Sequence, residues 1–299
     1  MNRKKRRQKR TFWLFLSPAL IAFLSVQIIP FFMGLYYSFT DWTATYQAQI
    51  SWVGLTNYQK ISSDASFLHS AYITSIYTIA SVILVNLIGF GLAMLVTSNI
   101  KAKNFSRAAF FLPNVIGGII LGYIWQFMFN NLFPSIASAL GFDPVLMLSN
   151  AEGALTALII VNAWQYAGYI MMIYVAALQN VPSELLEAAK IDGANAWSRF
   201  THITIPMIMP AFTITLFLTL TNSFKQFDVN VSLTGVGPAT FFMGKVVNGT
   251  ELLAQNISNT SLILRDTAFA QSKAIIFFIV LVVFSIIQVS ITSRKEVEL

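Results

Sequence analysis

Six charge-free apolar stretches, residues 12–35, 71–96, 109–129, 153–179, 206–222 and 274–292, recur along the chain and leave few folds open. A bilayer core about 30 Å thick is crossed by roughly 20 apolar helical residues rising 1.5 Å each, with every backbone polar group satisfied inside the segment. Of the 299 residues 56% are hydrophobic and only 10% charged, far from the roughly 25% charge of soluble domains. The fold class is therefore an all-α membrane protein with six transmembrane helices. The third stretch is interrupted by Pro113 and Gly117-Gly118 and followed by Pro134, and the fifth is short and runs into polar residues. Such breaks occur in spans that border a protein-enclosed path, where released backbone groups find other partners.

Basic residues of short loops stay on the cytoplasmic side. With the N-terminus inside, the cytoplasmic segments hold fourteen of the nineteen Lys and Arg: seven in NRKKRRQKR, then Lys101, Lys103, Arg107, Lys190, Arg199, Arg294 and Lys295. The outer side keeps Lys60, Lys225, Lys245, Arg265 and Lys273. Both termini are expected inside, as an even number of spans requires. The organisation that follows is a basic cytoplasmic N-terminus (1–11), a first span (12–35), a five-helix core (71–292) and a cytoplasmic tail (293–299). The net charge of +7 reads as an orientation signal and contact with anionic lipid rather than nucleic-acid binding, because the basic run directly precedes a span. That span is longer than the apolar core of a cleaved signal peptide and no small-residue cleavage pattern closes it.

Much chemistry is missing. The chain has no cysteine, so disulfides and thiolate metal sites are excluded. His69 and His202 are far apart in sequence and expected on opposite faces of the membrane, so no metal site is assigned. GVGPATFFMGK faintly resembles a phosphate loop, yet Ala239 stands five residues before Gly244 and no Ser or Thr follows Lys245. No carboxylate pair lies within a span, which argues against aspartyl-type membrane proteases and proton-coupled carriers. No catalytic residue is assigned. The sequons at Asn248 and Asn256 are common tripeptides, and no glycosylation is read from them.

Residues 180–205 fall on the cytoplasmic side by the charge count. Pro182 and Ser183 open a helix with Ser183 as N-cap, Glu184 and Glu187 sit in its first turns where the dipole favours negative charge, and Gly193 ends it. A second short helix carries Ala194, Trp197 and Phe200 toward Pro206. Leu185, Leu186, Ala188, Ala189 and Ile191 are more apolar surface than a solvated loop needs. Either this helix packs beneath its own bundle or it is a plug for a socket on another protein.

The spacing Glu187-Ala188-Ala189, three residues with Asp192 the last of them, Gly193, nine residues, Ile203, one residue, Ile205-Pro206 resembles the EAA loop of ABC importer permeases, with Ile205 where Leu is usual. The likeness runs from about Trp13 to Gln288, through Ser38-Phe39-Thr40-Asp41-Trp42, Val53-Gly54-Leu55 with Asn57-Tyr58, Phe110 to Pro113, and Ser223-Phe224-Lys225 with Phe227-Asp228. These are similar to permeases of the maltose-type carbohydrate uptake family. Two departures are Gly235-Val236-Gly237-Pro238 in place of three glycines and a proline, and an outer segment 239–270 longer than typical. The resemblance implies the type I ABC importer permease fold, with residues 183–206 as a cytoplasmic coupling segment in the bacterial cell membrane. It also implies a second homologous permease subunit, two ATP-binding subunits that use ATP and Mg, an extracellular solute-binding protein and a sugar substrate, with no cofactor on this chain. A non-sugar solute such as glycerol phosphate is the alternative.

Asn162, Gln165, Tyr166 and Tyr169 fall at offsets 0, 3, 4 and 7 on one helical face. Amides and flat rings suit sugar hydroxyls and C–H faces, and they equally suit hydrogen bonding between helices. The resemblance favours a substrate path along this face, joined by Asn222, Ser223 and Gln226. Lys225 and Asp228 are spaced to pair at i, i+3. A membrane-embedded enzyme and a scaffold without a path are the competing classes.

Overall fold

The structure is a computed structural model that describes residues 3–43, 49–98 and 102–294, with only the backbone for residues 3–8. Lys101, Lys295 and the tail beyond residue 294, used in the charge count, lie outside the described residues. In chain order the elements are α1 (Arg3–Phe23), a π-helical turn (Leu24–Ile28), α2 (Ile29–Tyr37), α3 (Thr56–Ile61), α4 (Ala65–Thr97), α5 (Lys103–Val115), α6 (Gly118–Phe127), a second π turn (Met128–Leu132) and α7 (Phe133–Ala139). There follow a 3-10 turn (Met147–Ser149), α8 (Ala151–Gln179), α9 (Ser183–Ile191), α10 (Ala196–Arg199), a third π turn (Phe200–Thr204), α11 (Ile205–Met207), α12 (Met209–Phe224) and α13 (Asp228–Leu233). Strands β1 (Ala239–Phe242) and β2 (Lys245–Asn248) then precede α14 (Leu253–Leu262) and α15 (Thr267–Ser293).

Among the described residues four helices are long and apolar enough to cross a bilayer alone: Lys9–Tyr37, α4, α8 and α15. Two bent pairs qualify together, Lys103–Val115 with Gly118–Ala139 at 96° and Ala196–Met207 with Met209–Phe224 at 62°, which gives six when each pair is one span. The stretch 109–129 is thus not a straight helix. Its break falls at Ile116 and Gly117, whose backbones are extended (ψ 127° and 136°). The three π turns share a cause: each ends two residues before a proline, Pro30, Pro134 or Pro206. Proline returns no N–H and its ring collides with the carbonyl four residues back, and widening the preceding turn relieves both problems without breaking the helix.

The chain divides into two compact units. One comprises residues 1–63 and 257–277. In it Asn57 Nδ2 donates to the carbonyls of Ser38 (3.0 Å) and Thr40 (2.8 Å), and the Ser38 and Tyr58 hydroxyls meet at 2.7 Å. Phe39 stacks on Trp52 with centroids 5.2 Å apart, and Tyr37 meets Trp42 at 4.5 Å. The motifs 38–42 and 53–58 therefore act locally, as side-chain anchors for a loop that leaves the first span.

The second unit comprises residues 64–256 and 278–299. Asp64 caps α4 by accepting from the amides of Ser66 and Phe67 at 3.0 and 3.3 Å, and Asn150 caps α8 by accepting from Gly153 at 2.7 Å. Helix α4 packs along α8 and α12, and α5 also lies against α8. Lipid tails are as apolar as leucine, so association between spans rests on close packing and interhelical hydrogen bonds. Both are present. Gly168 of α8 lets the backbone of Phe110 approach so closely that a Cβ would strike its carbonyl. Four buried side chains tie three helices: Tyr174 Oη donates to Asn86 Oδ1 (2.9 Å) and accepts from Thr215 Oγ1 (2.7 Å), while Asn86 Nδ2 donates to Thr219 Oγ1 (2.9 Å). Short α13 packs on α6, where Gly118 and Gly122 leave room for Asp228 and Ser232, and Gln126 Nε2 donates to the Leu233 carbonyl at 3.1 Å.

The departure at Gly235-Val236-Gly237 has a local reading. Gly235 and Gly237 have φ of +62° and +72°, whereas Val236 is not among the positive-φ residues. A side chain at the middle position is therefore free of backbone strain.

Two measurements test this packing. Tyr174→Phe removes two buried hydrogen bonds and is expected to lower stability in detergent by about 1–2 kcal/mol, read from thermal melting; an unchanged melting temperature would contradict the clamp. Gly168→Ala is expected to cost about 1–3 kcal/mol by forcing α5 away from α8, and a neutral result would contradict the close approach.

Candidate functional site

The EAA segment begins after α8 without a side-chain cap. Pro182, extended at ψ 128°, occupies the N-cap position and Ser183 is the first helical residue, so the expectation of Ser183 as cap is corrected. Proline's missing N–H and fixed φ make it a tolerable neighbour for this first turn. The other end matches the expectation: Gly193 has φ +85°. The Ala194 amide donates to the Ala189 carbonyl (2.9 Å) and the Gly193 amide to that of Lys190 (3.2 Å), the paired bonds of a Schellman turn. Asn195, which the sequence reading passed over, caps α10 by accepting from the Ser198 amide at 2.8 Å. An Asn three residues before a Ser, just after a helix-ending glycine, is a signal that could have found it.

No residue of α9 is buried. Glu187, Ala188, Asp192 and Gly193 are exposed and Ala189 half-buried, while Ile191 and Trp197 are 86% and 71% exposed. Of the two readings open at the sequence level, packing beneath the chain's own bundle is not what the structure shows for α9. The return leg is different: Ile203 and Pro206 are half-buried, and Phe200 reaches Phe90 of α4 with centroids 6.3 Å apart. The segment is thus a projecting helix on a stem packed against the spans. His202 sits on that stem with Nδ1 3.0 Å from the Ser198 carbonyl, a local contact.

A polar cavity of about 250 Å³ lies where α12 ends and α13 begins, lined by Tyr166, Asn222, Lys225, Gln226, Phe227 and Asp228. The structure brings Tyr166, Asn222 and Gln226 to one wall and adds Lys225 and Asp228. It does not bring Asn162, Gln165, Tyr169 or Ser223 to that wall. Asn162 and Ser223 are 3% exposed, and Tyr169 packs beside the cluster around Ala163, Ile170 and Tyr174. Gln165 has another role: its Nε2 donates to the Ile116 carbonyl at 3.2 Å, one of the groups released where α5 and α6 part. Its Oε1 and the Nε2 of Gln226 are buried without a partner.

Among the described residues no ion pair joins Lys225 and Asp228; both are exposed on the cavity wall. The i, i+3 pairing needs continuous helix, whereas Lys225 terminates α12, Asp228 starts α13, and Phe227 between them departs from helical geometry at φ −136°. The cavity consequently offers amides, a phenol, an ammonium and a carboxylate as separate hydrogen-bonding groups around one aromatic ring. Among the described residues no cluster of His, Cys, Asp or Glu could hold a metal ion.

The chain resembles known proteins over most of its length. Residues 85–297 match the family described as binding-protein-dependent transport system inner membrane component. The chain is 43% identical over 289 residues, 96% of each chain, to the starch degradation products transport system permease protein AmyD of Thermoanaerobacterium thermosulfurigenes. It is 32% identical to the multiple sugar-binding transport system permease protein MsmF of Streptococcus mutans, covering 95% of this chain and 96% of that one. A solved chain from a bacterial ABC transporter involved in the import of the acidic polysaccharide alginate shares the fold, with TM-score 0.80 at 21% identity, covering 97% of this chain and 98% of that one. The chain therefore belongs to the binding-protein-dependent transport system inner membrane component family, as a membrane-embedded permease of an ABC importer and not an enzyme.

Proposed function

We propose that this chain is one permease subunit of a sugar importer for neutral oligosaccharides, and that α9 is its coupling helix. The observation that carries the reading is the exposure of α9: a helix with the EAA spacing and an apolar edge, none of whose residues is buried by the described part of the chain. A partner's socket is what such a helix lacks. Two ATP-binding subunits using ATP and Mg would grip it on the cytoplasmic side, in line with the charge count that places 180–205 and both termini inside. A second, homologous permease would complete the path, and an external solute-binding protein would deliver the sugar. Relatives named for starch degradation products and multiple sugars support the sugar class over glycerol phosphate.

In this reading Glu187, Ala188, Ala189, Asp192 and Gly193 form the seat, with Ile203 and Pro206 fixing its stem. Movement of the seat carries α8 and α12, which flank it and are tied by Tyr174 and Thr215, and alternating access follows as rigid-body motion. Tyr166, Asn222 and Gln226 line the path directly, with Asn162, Gln165, Tyr169 and Ser223 along its supporting face. The division into N-terminal segment, first span, five-helix core and tail follows the same scheme.

In the assembled transporter, Glu187→Lys and Gly193→Pro are expected to lower sugar uptake by at least about tenfold while this chain stays in the membrane at its normal level. Radiolabelled uptake with quantitative blotting checks both. Unchanged uptake in either variant would count against the coupling role.

A further inference from the structure

The hairpin β1–β2 is the part of the long segment after α13 that the coupling scheme leaves without a task. Its strands pair antiparallel from Ala239–Asn248 to Phe242–Lys245, around Met243 and Gly244 at φ +50° and +74°. The hairpin borders an open cavity of about 450 Å³ beside the first turns of α8 and the start of α4, within the size range of small-molecule sites. Its walls are mainly apolar, from Ile73, Ile76, Leu155 and Ile159, with rings and a few polar groups set among them. Tyr72 and Phe242 present near-parallel rings, 21° apart with centroids at 6.4 Å. Glu152, Thr156 and Thr240 bring a carboxylate and two hydroxyls to the same walls. His69, 7% exposed, backs the cavity with its ring edge-on to Phe242 at 5.3 Å between centroids.

Position adds a second argument. The cavity occupies the end of α8 away from α9, about 40 Å along a 29-residue helix. Thr156, Ile159 and Tyr166 share one face of α8. The same stripe therefore leads, over about 15 Å, from this cavity to the polar one at Tyr166. We propose that the hairpin-walled cavity is a second saccharide subsite, which holds a neutral sugar unit against the Tyr72 and Phe242 rings before it moves down α8. Flat rings take the C–H faces of a pyranose, while the Glu152 carboxylate and the Thr156 and Thr240 hydroxyls take its O–H groups. The inference rests on the sugar-importer reading above.

The test uses the absence of cysteine from the chain. Thr156→Cys places one thiol in the cavity and Ser63→Cys places a control in an exposed turn. Each is made in the complete transporter in nanodiscs, and maleimide labelling of this chain is followed by mass. Maltopentaose alone is expected to slow labelling at position 156 at least about fivefold and leave position 63 unchanged. Phe242→Ala should abolish that protection and Phe242→Trp should retain it. Protection only by the sugar-free binding protein would mean that the cavity is a protein contact and would overturn the proposal, as would no protection at all. Failure of the wild-type transporter to take up any sugar would instead defeat the parent reading, so uptake is measured in parallel.

Discussion

A helix that breaks inside a bilayer releases carbonyls and amides that water is not there to receive, and everything distinctive in this protein depends on how those groups are satisfied. Where α5 and α6 part, Gln165 of α8 binds the freed Ile116 carbonyl. Where α13 ends short, Gln126 of α6 binds the Leu233 carbonyl. Where prolines would sever spans, π turns absorb the mismatch. The result is irregular backbone inside a permease, held in place by amide side chains rather than by hydrophobic pressure, which lipid does not supply.

That solution also links the two proposed functional regions. Helix α8 carries Gln165 and Tyr166 near its middle, Tyr174 two turns later and the projecting α9 at its end. Tyr174 joins α8 to α4 and α12 through Asn86 and Thr215, so the helices entering and leaving the EAA segment share one buried clamp. A force on α9 is then carried by a braced body rather than by a single flexible span. The polar cavity at the α12–α13 junction lies on the same body, with Tyr166 contributed by α8 and Asn222 by α12.

Much of this was legible in the residues. Each charge-free run falls inside a helix or bent pair that could cross a bilayer, because lipid leaves a membrane helix little freedom in composition, yet its ends fall up to ten residues short where the helix continues into polar sequence. Gly193 announced its turn because only the left-handed conformation explains a glycine there. The EAA spacing marked α9. Less legible were features decided by tertiary contact: the helical face of Gln165 suits a path and interhelical hydrogen bonding equally, and the partner its amide finds is a broken backbone 49 positions away. Lys225 and Asp228 read as a pair from their spacing, yet a helix end falls between them. The hairpin and the cavity behind it had no periodic signal, since four-residue strands are too short to show one.

The most direct test places a photocrosslinking amino acid at Ile191, the most exposed apolar residue of the seat at 86%, in cells expressing the whole transporter. If α9 is the part gripped by the nucleotide-driven subunits, irradiation will trap an ATP-binding subunit at that position, with a yield that changes when ATP is held unhydrolysed. Capture of lipid or of this chain's own spans alone, with no ATP-binding subunit in any nucleotide state, would contradict the account.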